Sequence, residues 1–142
     1  MQHPRTVLGP GDGGAHCGAV CDASLPPYML THWVRDRQRG PRLPLEQVIN
    51  MQTTNTAALS GLEDRGKLAE GCLAEINLTD LEALTLEARR MIHELPAGGR
   101  RYMQGAGGYR ATIKAVQVVM RDGAGVRPLP GRLLRGRQEA PV

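Results

Sequence analysis

Leu8-Gly9-Pro10-Gly11-Asp12-Gly13-Gly14-Ala15-His16-Cys17-Gly18 is the stretch on which the fold reading turns. The short apolar run Thr6-Val7-Leu8 leads into it and stops at Gly9-Pro10-Gly11, which predicts the end of a strand entering a loop over residues 9–24. Gly9, Gly11 and Gly14 also spell a G-x-G-x-x-G pattern. A dinucleotide fingerprint needs a full strand before it and a helix starting inside it. Here Pro26 and Pro27 put the next helix much later, which argues against a nucleotide fold. The other reading puts weight on Asp12. A carboxylate just past a strand end is where barrel enzymes carry catalytic groups. Gly11, Gly13 and Gly14 would let the backbone approach a substrate closely. An Asp that bonds its own loop amides is the structural alternative. The residues alone leave these two readings even.

Outward from the loop, Ser24 is a candidate cap for a helix opening at Pro26-Pro27, where a missing N–H costs nothing. Met29, Leu30, Trp33 and Val34 share a face at helical spacing, and Met29 and Met51 are expected in the core. Arg35, Arg37 and Arg39 suit the negative end of the dipole, and Gly40 is the expected stop. Pro44 opens a second helix with Leu45, Val48 and Ile49 inside; Thr53 or Thr54 caps a third over residues 55–59, ended by Gly61. Beyond that the period becomes two. Ala74, Ile76 and Leu78 face one way and Glu75, Asn77 and Thr79 the other, as in a half-buried strand. Residues 109–114 and 117–121 read as a hairpin, and Asp122-Gly123 as a turn.

The order is therefore one strand, a Gly-rich loop, helices, then a small β region. A lone strand has no neighbour for either edge, so the chain reads as starting in the middle of a larger fold. The expected division is 1–61 for strand, loop and helices, 62–126 for the β region, and 127–142 for a Pro/Arg-rich tail.

Composition narrows the class. The chain has 142 residues, 41% hydrophobic and 23% charged, enough for one ordinary domain. Aromatics are 3% with no Phe, so a core must rest on aliphatic residues and Met. The net charge of +4 comes from scattered arginines without the neighbouring aromatics that stack bases, so nucleic acid is not the expected partner. No run approaches the roughly 20 apolar residues of a membrane span. Residues 1–14 lack the apolar core of a signal peptide, and the three cysteines cannot all pair, so a reducing cytoplasm with free thiols is expected.

His3-Pro4-Arg5-Thr6-Val7-Leu8-Gly9 followed by Asp12-Gly13-Gly14-Ala15-His16 resembles the strand-eight segment of the N-acyl-D-amino-acid deacylase branch of the metal-dependent amidohydrolases. The resemblance continues through Tyr28-Met29-Leu30-Thr31-His32-Trp33-Val34-Arg35-Asp36-Arg37. It then takes in Asp64-Arg65-Gly66-Lys67-Leu68-Ala69 with Gly71, Leu95-Pro96-Ala97-Gly98-Gly99-Arg100-Arg101, and Pro130-Gly131-Arg132-Leu133. It implies an α/β fold: the last strand and helices of a TIM-type barrel followed by part of a small β-sandwich. It also implies that the carboxylate of Asp12 takes a proton from a metal-bound water and returns it to the leaving amine. The implied substrate is an N-acyl-D-amino acid, and the implied metal is zinc or another divalent ion in the parent enzyme. Three positions depart from the family pattern. They are Glu75 in place of Asp, Ala115-Val116 where a turn glycine is usual, and Pro10 beside the motif.

Around Asp12, His16 is expected to orient substrate or the carboxylate, with Gly11, Gly13 and Gly14 shaping the pocket. Asp12 is also a weak candidate metal ligand. Asp22 could reach the site mouth, and His32 is expected to be a packing residue. His16, Cys17 and Cys21 have no recognised zinc spacing and no fourth ligand, and Cys17 lacks a base to serve as a nucleophile. No H-x-H pair occurs among His3, His16, His32 and His93, so the isolated chain is expected to bind no metal and to be inactive. The missing barrel portion would be supplied in cis or in trans. The alternative is a non-catalytic partner that complements a separately encoded barrel half.

Overall fold

The computed structural model describes residues 1–9, 11, 18–19, 22–127 and 129–141. Helices come first and strands second. Helix α1 opens at Leu25–Tyr28 with Pro26 and Pro27 in its first turn and continues as a π-helix over Met29–Asp36. The wide turns end where the Arg37 N–H donates to the His32 carbonyl at 2.8 Å, a five-residue step. The helix thus stops before the expected Gly40, because Arg37 has already turned to extended backbone. Ser24 makes no side-chain cap bond; only its carbonyl accepts, from the Tyr28 N–H.

Helices α2 (Leu45–Gln52) and α3 (Thr54–Leu59) follow. In α2 the buried pair is Val48 and Met51, at i and i+3, whereas Leu45 and Ile49 stay exposed. The core-facing stripe is therefore rotated from the expected one. The buried cluster consists of Met29, Leu30, Leu43, Val48 and Leu84, with Leu8, Trp33, Val34, Leu81 and Tyr109 packed around it. Val48 and Leu84 are both 0% exposed, so the centre of this core joins a helix to the loop before the second strand.

The strands are β1 (Glu75–Thr79), β2 (Thr85–Leu86), β3 (Arg90–Leu95), β4 (Gly99–Met103), β5 (Ala106–Gly107), β6 (Tyr109–Lys114), β7 (Gln117–Arg121) and β8 (Ala124–Gly125). One sheet runs β1-β6-β7-β8, and two ribbons pair β2 with β5 and β3 with β4. Every strand pair is antiparallel. The expected hairpin of β6 and β7 forms with Lys114 opposite Gln117, and the Asp122-Gly123 turn joins β7 to β8. In β1 the period of two holds from Glu75 to Asn77 and then breaks: Leu78 is 57% exposed and Thr79 is half-buried, with a register shift between them.

One expectation fails outright. Thr6-Val7-Leu8 forms no strand. A strand exists through hydrogen bonds to neighbours, and none of the described residues pairs with this run. The fold is mixed helix and sheet, with helices and antiparallel strands segregated along the chain, and it displays no parallel barrel strand among the described residues.

The chain exposes 10238 Å². A self-contained monomer of 15.4 kDa presents about 7,200 Å² by the usual size scaling.

Candidate functional site

The candidate residues Asp12, Gly13, Gly14 and His16, with Cys17 and Cys21, lie outside the described residues. What the structure gives is the frame that carries them. Leu8 packs on the core cluster before the loop. Gly11 then lies against the entrance of α1. A Cβ at Gly11 would sit 3.0 Å from the Asp22 Cβ and 3.2 Å from the Leu25 Cδ1, so any larger residue would push the two ends of the loop apart. Asp22 turns the chain into the helix, its carbonyl accepting the Leu25 N–H at 3.0 Å. Farther along, Gly18 faces the Arg100 carbonyl, 3.9 Å from where its Cβ would be, which brings the loop alongside β4. The described flanking residues thus lie beside the core at Leu8, the start of α1 at Gly11 and Arg100 of β4 at Gly18.

Behind this frame α1 carries a ladder of rings. Tyr28 and His32 stack with centroids 5.0 Å apart, His32 meets Trp33 edge-on at 5.3 Å, and the Arg37 guanidinium lies 4.1 Å above the Trp33 ring. His32 is therefore held in packing, as the sequence suggests. Met29 and Met51 are buried, as expected.

Arg35 has a role that charge patterning did not reveal. Its Nη1 donates to the carbonyls of Leu81, Glu82 and Leu84 at 2.5, 3.2 and 2.9 Å. Its Nε and Nη2 grip both carboxylate oxygens of Asp36, at 2.6 and 2.8 Å. This hydrogen bond from Arg35 holds the Asp36 carboxyl below its ordinary range. One guanidinium thus ties the helix behind the loop to the turn before β2. The sequence signal was only a cation in the last helical turn; its partners lie 46 to 49 residues away.

A second polar centre lies in the β region. Arg65 bonds Asp64 at 2.8 Å and Glu75 at 3.1 Å, and Glu75 also pairs with Lys114. Glu75, the departure from the family's usual Asp, thus bridges two cations. The Arg65 bond holds the Asp64 carboxyl below its ordinary range.

No group of three or more His, Cys, Asp or Glu side chains that could hold a metal ion occurs among the described residues. The described part of the chain therefore does not fit a metal site. No helix among the described residues is long and apolar enough to cross a membrane.

The model of one family, the amidohydrolase family, matches residues 1–120. The chain belongs to that family. The match takes in the Asp12 loop, all the helices and β1 through β6. A search of curated proteins and a search of solved structures each found no match.

Proposed function

We propose that this amidohydrolase chain carries the proton-handling part of an enzyme that hydrolyses linear amides of N-acyl-D-amino acids. The observation that supports the reading is the family match over residues 1–120, which takes in Asp12. Asp12 is assigned the proton shuttle. Its carboxylate accepts a proton from the attacking water and delivers it to the leaving nitrogen, so that an amine rather than an amide anion departs. His16 and the backbone at Gly11, Gly13 and Gly14 are assigned to substrate positioning. The divalent metal of such enzymes would polarise the carbonyl, and its ligands would come from outside this chain.

The chain alone is then inactive. Purified and supplied with zinc and an N-acetyl-D-amino acid, it should give no turnover; measurable turnover would sink the assignment of the ligands to another segment. In a polypeptide carrying this chain after a barrel segment, Asp12→Asn should lower kcat by about 10²–10⁴ with KM little changed. An unchanged kcat would remove Asp12 from the chemistry.

A second reading has its own observation. Apolar side chains left exposed on its helices suit a chain that is completed by another. Leu45 and Ile49 lie on the outer face of α2, while Leu25 and Tyr28 are the exposed apolar residues of α1. The two helices are joined by the Gln52 Nε2 bond to the Pro26 carbonyl at 3.0 Å. Here the chain is a complementing piece that docks on a separately encoded barrel half. Co-expression with such a half should yield a complex that gains activity; a stable complex without activity, even with the metal supplied, would favour a non-catalytic partner.

A further inference from the structure

Residues 129–141 lie past the end of the family match and have no strand or helix of their own, yet they do not run free. The Gln138 N–H donates to the Gly61 carbonyl at 2.8 Å, and the Glu63 N–H donates to the Gln138 carbonyl at 2.9 Å. Leu62 and Gln138 thereby form a single parallel bridge. Arg137 pairs with Glu63, both exposed. At the far end Pro141 seats on Gly71, whose absent side chain leaves the room: a Cβ there would lie 2.5 Å from the Pro141 Cβ. Between strap and turn is a cleft of about 490 Å³, lined on the turn side by Asp64, Arg65, Gly71 and Leu73 and on the strap side by Gln138 and Pro141.

The strap has no fully buried apolar anchor: Leu134 and Pro141 are half-buried in the cleft wall, and the other two leucines are not. Leu129 is 80% exposed and Leu133 is 74% exposed. With Leu134 and Pro141 no more than half-buried, attachment rests on that slight apolar contact, two backbone hydrogen bonds and one surface ion pair. Such contacts place a segment at the low-stability end of a fold, where local opening precedes global unfolding. The ion pair is open to screening, because exposed charges weaken as salt rises.

We propose that residues 129–141 form a detachable strap that closes over the Asp64–Arg65 turn, with the Arg137–Glu63 pair making its closure sensitive to ionic strength. When the strap lifts, the wall of the cleft formed by Gln138 and Pro141 leaves, and the turn that carries the Arg65–Glu75 bridge is uncovered.

Amide hydrogen exchange on the full chain tests this. At low salt the Gln138 and Glu63 amides should exchange more slowly than in an unstructured peptide, and raising the salt to about 1 M should speed both several-fold. Arg137→Gln should speed them roughly two- to fivefold at low salt and abolish the salt dependence. Gly71→Ala should speed them by about tenfold or more in the native background and much less on top of Pro141→Gly. That comparison separates the clash with Pro141 from the strain of Ala at the positive φ of Gly71, which is common to both backgrounds. Arg137→Gln alters only an exposed side chain, so it remains informative if Gly71→Ala fails to fold. Peptide-like exchange of Gln138 and Glu63 in the native chain at low salt would overturn the proposal. So would an equal effect of Gly71→Ala in the two backgrounds, or a salt response that survives Arg137→Gln.

Discussion

At the scale of single residues, Arg35 is the side chain on which most depends. Three carbonyls of the turn before β2 converge on one nitrogen, and the other two donors are committed to Asp36. Truncation would leave those carbonyls beside the core residue Leu84 without their donor, and water reaches that side only in part. Arg35→Ala should therefore destabilise the chain by about 1–3 kcal/mol, read as a lower urea midpoint. Arg35→Lys should recover only a minor part of that loss. An ammonium can reach the carbonyls but cannot also present a planar fork to Asp36. Equal stability of the native chain and Arg35→Ala would show that Leu84 packing and the Asp80–Ala83 bond hold the turn without Arg35. Arg35 stands in the last helical turn, as the sequence suggests, but its bonds to the distant turn were not legible there. Its position at the end of a helical run suited a dipole partner, and nothing local pointed to a turn nearly fifty residues on.

At the scale of elements, the β6–β7 hairpin has its pairing right and its turn chemistry wrong. Ala115 and Val116 sit at φ 48° and 65°, the left-handed values of a two-residue turn that asks for Asn-Gly. Each non-glycine residue there costs on the order of 1–2 kcal/mol, and a β-branched one is the worst fit. Val116 is 82% exposed, so its side chain returns little packing. Ala115→Asn combined with Val116→Gly should raise stability by about 1–2 kcal/mol, seen as a higher urea midpoint with an unchanged slope. A neutral or lower midpoint would mean that the turn is not in this conformation in solution. This hairpin also marks how far the sequence could be read. The period-two runs and Asp122-Gly123 gave β1, β6, β7 and the last turn, and the prolines gave the helix starts. Missed were the β3–β4 ribbon and the β2–β5 pair. The strands β3 and β4 mix Arg, His, Met and Gly without alternation and are held by pairing across the Pro96-Ala97-Gly98 turn, and β2 and β5 are two residues each, too short to show a face pattern. The apolar run at Thr6-Val7-Leu8 misled in the opposite way, since composition can favour a strand while pairing decides it. Of the candidate site, the frame at Gly11 and Asp22 is visible and the carboxylate that motivated it lies in residues the structure does not describe.

For the whole molecule, three bonded carboxylates tie stability to pH, two of them paired with the neighbouring arginine in sequence and one, Asp80, with Arg110 across 30 residues. Asp64 is held below its ordinary carboxylate range by the hydrogen bond from Arg65, and Asp36 by that from Arg35. For Asp80 the first cause is the Ala83 N–H and the second is Arg110, whose bond spans 30 residues at 3.1 Å. A carboxyl with a lowered folded pKa binds protons more readily when unfolded. Its contribution is therefore complete above the unfolded value near pH 4 and disappears as pH falls through the lower folded value. Burial pushes Tyr109 the other way, raising its pKa. Its contribution is complete below about pH 10 and fades as pH rises beyond that. Stability should thus be level from about pH 5 to 9 and decline on both flanks. The acid decline should be shallow, since each pair is near the surface and is screened by solvent. Two substitutions separate the flanks. Asp80→Asn should reduce the acid decline and leave the alkaline one intact, and Tyr109→Phe should do the reverse. Urea midpoints between pH 3 and pH 11 at low salt would show this. A midpoint unchanged between pH 5 and pH 3 would mean that Asp36, Asp64 and Asp80 add nothing to stability, leaving the core around Val48 and Leu84 and the Arg35 bonds to the carbonyls before β2 to join the helices to the strands.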